Sequence, residues 1–439
     1  MDYILVTHEN VQSVFAQGGS FLFDFQTDVT YFGDLILPAN SILRFSGGVL
    51  SVTGNITGNH TVINAPATHF LSVHGVVNGT WNVPIAYPEW FGANYNGDNY
   101  TTNDSAISQT LSLIPGEIQF TQGIYMISNT IYTNQPNQTV STNILIGKNA
   151  TLKAALNMSV MIMGNYPDGI GVHNLTTLPK IYGGGTIDGD NKACCGIVLQ
   201  HGYRVMIEHL CIKNVKNYGF TAASNPSEAG SCVVRDCVFE NHPTINPLDP
   251  NFGLLDNAIA IHNNHVDCNY ENIMIIDFKI GVLHDALNGK YVNVHAWLST
   301  NLYWKESVVF KCLQPDLNLY CCDADTMRKL VEVENIPYFF ANIINCRAYK
   351  NDDVVSDSLC SSFKPIVVDK GASIATQIMI LGGAYWFDVN YTIIEEELVD
   401  YNIECYDRVS VIRYNRSMVD LGYVFDEFLT PFTKHNQLY

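Results

Sequence analysis

Carboxylates and imidazoles gather in one stretch of the chain. Asp249, Asp256, His262, Asp267 and Glu271 lie within or shortly after the proline-rich run at residues 243–250. Asp256 precedes the alternating run Ala258-Ile259-Ala260-Ile261-His262. If that run is a strand, the acid and the histidine are expected to border one groove. A carboxylate pair, or a carboxylate with an imidazole, is what general acid–base work on a glycosidic bond requires. Asp256, His262 and Asp267 are therefore the candidate catalytic residues. His295, Trp297, Trp304 and Asp249 are the candidate substrate-binding residues, with Tyr303 beside them. Sugars lay their apolar faces on aromatic rings and give their hydroxyls to such polar groups. Each has a structural counter-reading: an Asp before a strand is commonly a turn residue, and a histidine in a repeat is often satisfied within the core.

The elements that position these residues follow from composition and pattern. The chain has 439 residues, 47% hydrophobic and 11% aromatic, with a net charge of −19. That apolar content excludes disorder. The acidic balance leaves nothing to neutralise phosphates over a broad surface, so nucleic acid is not an expected partner. No run reaches about 18 apolar residues, and no membrane insertion is expected. Charged residues are only 15%, so the surface is built from Asn, Thr, Ser and Tyr.

Strand-like alternation dominates, in short pieces broken by Gly and Asn, as in Ile42-Leu43-Arg44-Phe45, Gly47-Gly48, Val49-Leu50-Ser51-Val52. Such short strands suit a solenoid, in which each pairs with its counterpart one coil on. A direct repeat supports this. Residues 212–220, Cys237-Val238-Phe239-Glu240-Asn241 and residues 275–282 share a strand ending in Asn or Asp, with steps of 241 − 214 = 27 and 277 − 241 = 36. Asn214 and Asn241 are expected at left-handed turn positions, bonded to one another in a ladder. The longer step holds the proline-rich loop, which cannot pair and is expected to project. On neighbouring coils carboxylates would lie ~4.8 Å apart, near the ~5 Å of retaining glycosidases, and two coils apart ~9.6 Å, near the inverting limit. One helix is expected near 104–114, capped by Asn103-Asp104, with Ile107, Leu111 and Ile114 inward, covering the edge of the first coil.

The twelve cysteines include no CxxC pair. They are expected as buried free thiols in a product made in a reducing cytoplasm, with no signal peptide. Asp188-Gly189-Asp190 is read as a coil turn. Glu395-Glu396-Glu397 is read as a solvated face. No cofactor and no metal are expected.

A resemblance sharpens these expectations. Tyr87-Pro88-Glu89-Trp90-Phe91-Gly92-Ala93, then Asn96-Gly97, the helix, Gly116-Glu117-Ile118-Gln119-Phe120 and Gly123-Ile124-Tyr125 resemble the opening of the pectate-lyase-like β-helix domain of bacteriophage tailspikes. The chain departs from that pattern at Asn96 and Asn103, where the family has Asp, and at Gln122, where it often has Pro. Gly183-Gly184-Gly185-Thr186-Ile187-Asp188-Gly189 and Asn293-Val294-His295-Ala296-Trp297 are similar to later segments of such spikes. Residues 37–59 are similar to modules in proteins of Bacteroidales and their phages. The resemblance spans roughly residues 35 to 300.

It implies an all-β fold, a right-handed parallel β-helix over 87–400 with a capping helix. A small β-rich attachment module would precede it over 1–86, and a closing, trimer-contact segment would follow over 401–439. It implies a virion tail spike or tail fibre, a homotrimer that engages other tail proteins and a host surface polysaccharide. A glycan depolymerase and a purely structural tail adaptor are the alternatives. The GHG and RxK patterns of polygalacturonase-type enzymes are absent.

Overall fold

In the computed structural model, strand follows strand from the first residues, and every pairing between named strands whose register is given below is parallel. The structure describes residues 1–133, 141–163, 179–200, 204–222, 231–244, 246–300, 303, 306–334, 336 and 338–349. It also describes the backbone of Ile366–Val368, Ala375–Leu381, Ala384–Tyr385 and Val409–Tyr414. The chain divides into two units, Met1–Asp188 and Gly189–Tyr439.

In the first unit, Phe21–Phe25 pairs with Asp2–Val6 and with Ile42–Phe45, which in turn pairs with Ile56–Asn64. Val29–Tyr31, Leu50–Val52 and Leu71–Val73 form a second series. Leu35–Ile36, Ile56–Asn64 and Val77–Trp81 form a third. Asn55 N–H donates to Asp34 Oδ1 and Val76 N–H to Asn55 Oδ1, each across 21 residues. Short strands recurring at a near-constant step make the β-rich residues before Tyr87 a set of stacked coils. The identical triplets Leu50-Ser51-Val52 and Leu71-Ser72-Val73 lie opposite one another. Inside, Phe25, Phe45, Phe70 and Trp90 form one file of rings with centroids 4.7, 4.0 and 5.3 Å apart. Gly79 is obligatory: its φ is +85°, and a Cβ there would lie 2.1 Å from the Gly58 carbonyl oxygen.

The α-helix runs Tyr100–Ser112, a turn earlier than expected. Asn99 is the cap, accepting from Thr102 N–H at 3.2 Å. Asn103 and Asp104, expected to cap, instead tie the helix to neighbours. Asn103 accepts from Asn94 N–H and donates to the Met126 carbonyl, and Asp104 accepts from Ser128 and Asn129. On the other side Gln109 donates to the Val73 carbonyl. The helix therefore bridges strands that precede and follow it. Ile107 and Leu111 are buried, but Ile114 lies beyond the helix at φ +51° and is exposed. After it, Glu117–Ile127 pairs with Asn143–Ala154, which pairs with Lys180–Tyr182 and Thr186–Asp188.

The second unit repeats two strand series. One runs through Met206–Glu208 with Cys211–Lys213, Val233–Arg235 with Val238–Glu240, Asn269–Ile276, Lys290–Trp297, Leu317–Tyr320 with Asp323–Asp325, and Tyr338–Ile344 with Arg347–Tyr349. The other runs through Cys195–Leu199, Tyr218–Ala222, Ile259–Asn263, Ile280–His284, Val308–Cys312 and Lys329–Val333. This is a solenoid-like succession of mostly β structure. Ile212, Phe239 and Ile275 stand opposite one another, as the repeat requires. Parallel pairing reaches Arg347–Tyr349, which lies opposite Asp323–Asp325. In the expected closing segment, Val409–Tyr414 pairs in parallel with Ala375–Leu381.

Left-handed residues sit where the coil bends. Asp236, Asn272 and Asn293 all have φ of +54°. Asn272 donates to Asp236 at 2.9 Å and Asn293 to Asn272 at 3.0 Å, forming a side-chain ladder. The ladder thus runs here and not through Asn214 and Asn241. Asn214 does have φ +54°, but Asn241 is fully buried and spans the backbone N–H and C=O of Val215. Among the described residues, buried acids answer an arginine one coil on at three places: Asp24 with Arg44, Glu208 with Arg235, and Asp323 with Arg347.

Candidate functional site

The proline-rich loop folds as turns from Pro247 to Asn257 and leaves Leu248 91% exposed. Asp249 is a turn residue within it, accepting from Asn251 N–H at 2.7 Å. The loop ends at Asp256, whose carboxylate accepts from the Tyr303 hydroxyl at 2.9 Å. Burial and that carboxylate push the Tyr303 phenol upward, so it stays a donor.

Asp256 lines an open groove of about 390 Å³. Its apolar lining is Ala258, Ile280 and Val308. Its charged lining is Lys279, Glu306, Lys311, Arg328, Lys329, Glu332 and Glu334. The strand register builds this arrangement: Ile280, Val308 and Lys329 stand in one file across three coils, and Lys311 faces Glu332 in another. The cations and acids lock together, Lys311 with Glu334 at 2.8 Å, Lys279 with Glu306, and Lys329 with Glu332. The Lys279 ammonium holds the Glu306 carboxyl below its usual range. An acid held beside an ammonium favours its ionised form, whereas glycosidic cleavage needs one carboxyl that keeps its proton. The groove is therefore built to present fixed donors and acceptors around an apolar strip.

His262 is not among the residues lining that groove, although it stands in the same file as Lys311, two coils before it. The His262 ring stacks on Tyr218 with centroids 4.9 Å apart. Its Nδ1 lies 3.0 Å from Thr221 Oγ1 and its Nε2 3.6 Å from Asp285. Burial lowers its affinity for a proton, with Asp285 opposing. The order Thr, His, Asp has the look of an activated hydroxyl, but Thr221 is 3% exposed and offers no nucleophile to a ligand. Asp267 stands in an exposed left-handed turn, where Asn288 donates to it at 3.1 Å. Glu271 faces Arg235, which is bound to Glu208. Asp256, His262 and Asp267 are thus held by three separate sets of partners.

His295 and Trp297 do lie together, two residues apart and half-buried on Lys290–Trp297. The next coil sets Asp323 opposite His295 and Asp325 opposite Trp297. His295 Nε2 is 4.0 Å from Asp325 Oδ2, and Asp323 is held by the Arg347 fork, with Nε at 2.8 Å. Trp304, Trp386, Phe387 and Glu395-Glu396-Glu397 lie outside the described residues, as does the Tyr385 side chain. Among the described residues, no three His, Cys, Asp or Glu side chains converge as metal ligands.

The groove lysines and glutamates escaped sequence reading, as did Asp323 and Asp325. The available signal was a polar residue recurring within otherwise apolar strands, Lys311 after Val308-Val309-Phe310 and Glu332 after Leu330-Val331.

No protein-family model matches the sequence, and no curated protein matches it. Among solved structures the chain is similar to ORF18 of Geobacillus virus E2, with a TM-score of 0.41 and 12% identity. The match covers 76% of this chain and 61% of that one, so the chain spans about three fifths of that protein's length.

Proposed function

We propose that this chain is a virion tail spike or tail fibre component that recognises a host cell-surface glycan. It would do so as a homotrimer built on a right-handed, pectate-lyase-like parallel β-helix. The ordered sequence resemblance and the coil-by-coil parallel pairing support the fold in this reading. The observation that carries the glycan is the groove beside Asp256. Its strip of Ala258, Ile280 and Val308 suits the C–H face of a pyranose, and the paired lysines and glutamates at its edge suit hydroxyls. Four basic and four acidic side chains line it, counting Asp256, so the groove does not share the chain's net charge of −19. A neutral glycan fits that balance best. Titrating purified chain with neutral and acidic bacterial surface polysaccharides tests this: binding confined to acidic polymers would refute the neutral-glycan reading.

The depolymerase alternative has one observation in its favour: Asp256 takes its hydrogen bond from a neutral phenol and not from a lysine. In that reading Asp256 is the carboxylate that acts on the sugar, with Tyr303 positioning it. Release of reducing ends from a bound polysaccharide, lost in Asp256→Asn, would establish it.

A further inference from the structure

Two pairs of cysteines stand opposite one another on successive coils. Val233 faces Asn269, which aligns the preceding Cys232 and Cys268, and Asn269 N–H donates to the Cys232 carbonyl at 2.9 Å. The Cys232 thiol donates to Cys268 Sγ at 2.8 Å, and both residues are at most 1% exposed. Asp323 faces Arg347, which likewise aligns Cys322 with Cys346, and Cys322 N–H lies 3.4 Å from Cys346 Sγ. Neighbouring strands are ~4.8 Å apart, inside the ~4.4–6.8 Å Cα separation that a disulfide spans. The 2.8 Å gap at Cys232 needs closing by less than about 1 Å to reach a bond of ~2.05 Å. By contrast, Cys237 and Cys312 have Ile273 and His284 beside them on the adjoining coil and no cysteine.

We propose that Cys232–Cys268 and Cys322–Cys346 are inter-coil disulfide sites, closed by a low-molecular-weight disulfide such as oxidised glutathione. One thiol gives up its proton and attacks a glutathione sulfur, releasing one reduced glutathione. The second thiolate then displaces the other glutathione. Two protein thiols are oxidised by two electrons, and one oxidised glutathione becomes two reduced molecules. The hydrogen bond with the Cys268 thiol, and then burial, raise the proton affinity of Cys232, so exchange waits for local opening or occurs before the coils dock. The result is a staple that joins coils only where the surroundings are oxidising.

The test is to refold the full chain from urea with oxidised glutathione or with dithiothreitol, alkylate, digest without reduction and map linked peptides by mass spectrometry. Linked 232–268 and 322–346 peptides should dominate, with Cys237 and Cys312 alkylated only after unfolding. The oxidised protein should melt on the order of 5 °C higher, a gain absent from the Cys232→Ala/Cys346→Ala variant. Mapping native protein held with the oxidant for days gives a readout that does not depend on refolding. Four intact thiols in both preparations, or pairing with Cys237 or Cys312 as often as with the stacked partner, would overturn the assignment.

Discussion

His284 is fully buried at the end of a hydrogen-bonded chain. Tyr270 donates to Asn263, Asn263 to Tyr291, Tyr291 to His284 Nδ1 at 3.0 Å, and His284 Nε2 to the Pro315 carbonyl at 3.2 Å. Burial lowers its pKa to about 4, against ~6.5 in an unfolded chain. As pH falls, the unfolded state therefore takes up the proton first. Stability from this group is complete above about pH 6.5 and is lost between there and pH 4, on the order of 3 kcal/mol in all. Urea midpoints at pH 7, 5.5 and 4 should show that loss, and His284→Gln should flatten it. Asp24 adds a further loss at lower pH, because the Arg44 fork, Ser46, Gln26 and Tyr3 hold its buried carboxyl well below the usual range. Asp24→Asn should cost about 2 kcal/mol at pH 7, measurable by denaturant titration. Little of this was legible beforehand. The sequence shows an Asp and an Arg, or a Tyr and a His, but only the strand register makes Asp24 and Arg44 neighbours.

Elements were more legible than their partners. Alternation and the 212/239/275 repeat gave the coils and their stacking, since a strand's period of two and a fixed step are written directly into residue order. The helix was legible but shifted, because Asn99, Asn103 and Asp104 are all cap-forming types and tertiary hydrogen bonds decided their roles. The ladder falls at a different turn from the expected one for a similar reason: most left-handed bends carry Asn or Asp, and burial of Asn241 selects a backbone role for it. Before Tyr87, the repeated Leu-Ser-Val triplet carries the step of the coils in the sequence itself. At the ladder, Asn272→Ala should lose two side-chain hydrogen bonds and strain a residue at φ +54°, costing about 1–3 kcal/mol. Asn272→Gly should recover the strain and not the hydrogen bonds. Equal stability of the two variants and the parent would show the ladder to be energetically idle.

At the scale of the molecule, stacked coils explain how so few charges suffice. Apolar files fill the interior, Asn and Asp occupy many of the left-handed bends, and buried acids are met by arginines one coil on. The candidate groove was only half legible: Asp256 was found from its place before a strand, whereas its lysines and glutamates come from three different coils. Lys311→Ala should break the pair with Glu334 and weaken glycan binding about tenfold while leaving the melting temperature within a few degrees. Sedimentation of the purified chain should give a trimer, and a persistent monomer would remove the tail-spike assembly from the account. The central claim is recognition of a neutral surface glycan in the groove beside Asp256. Calorimetric titration of that glycan into wild-type, Lys311→Ala and Glu332→Gln proteins, with reducing ends followed in parallel, tests it most directly. The account predicts saturable binding to wild type, a loss of about tenfold in each variant and no released fragments; equal binding by all three proteins, or steady release of oligosaccharides, would contradict it.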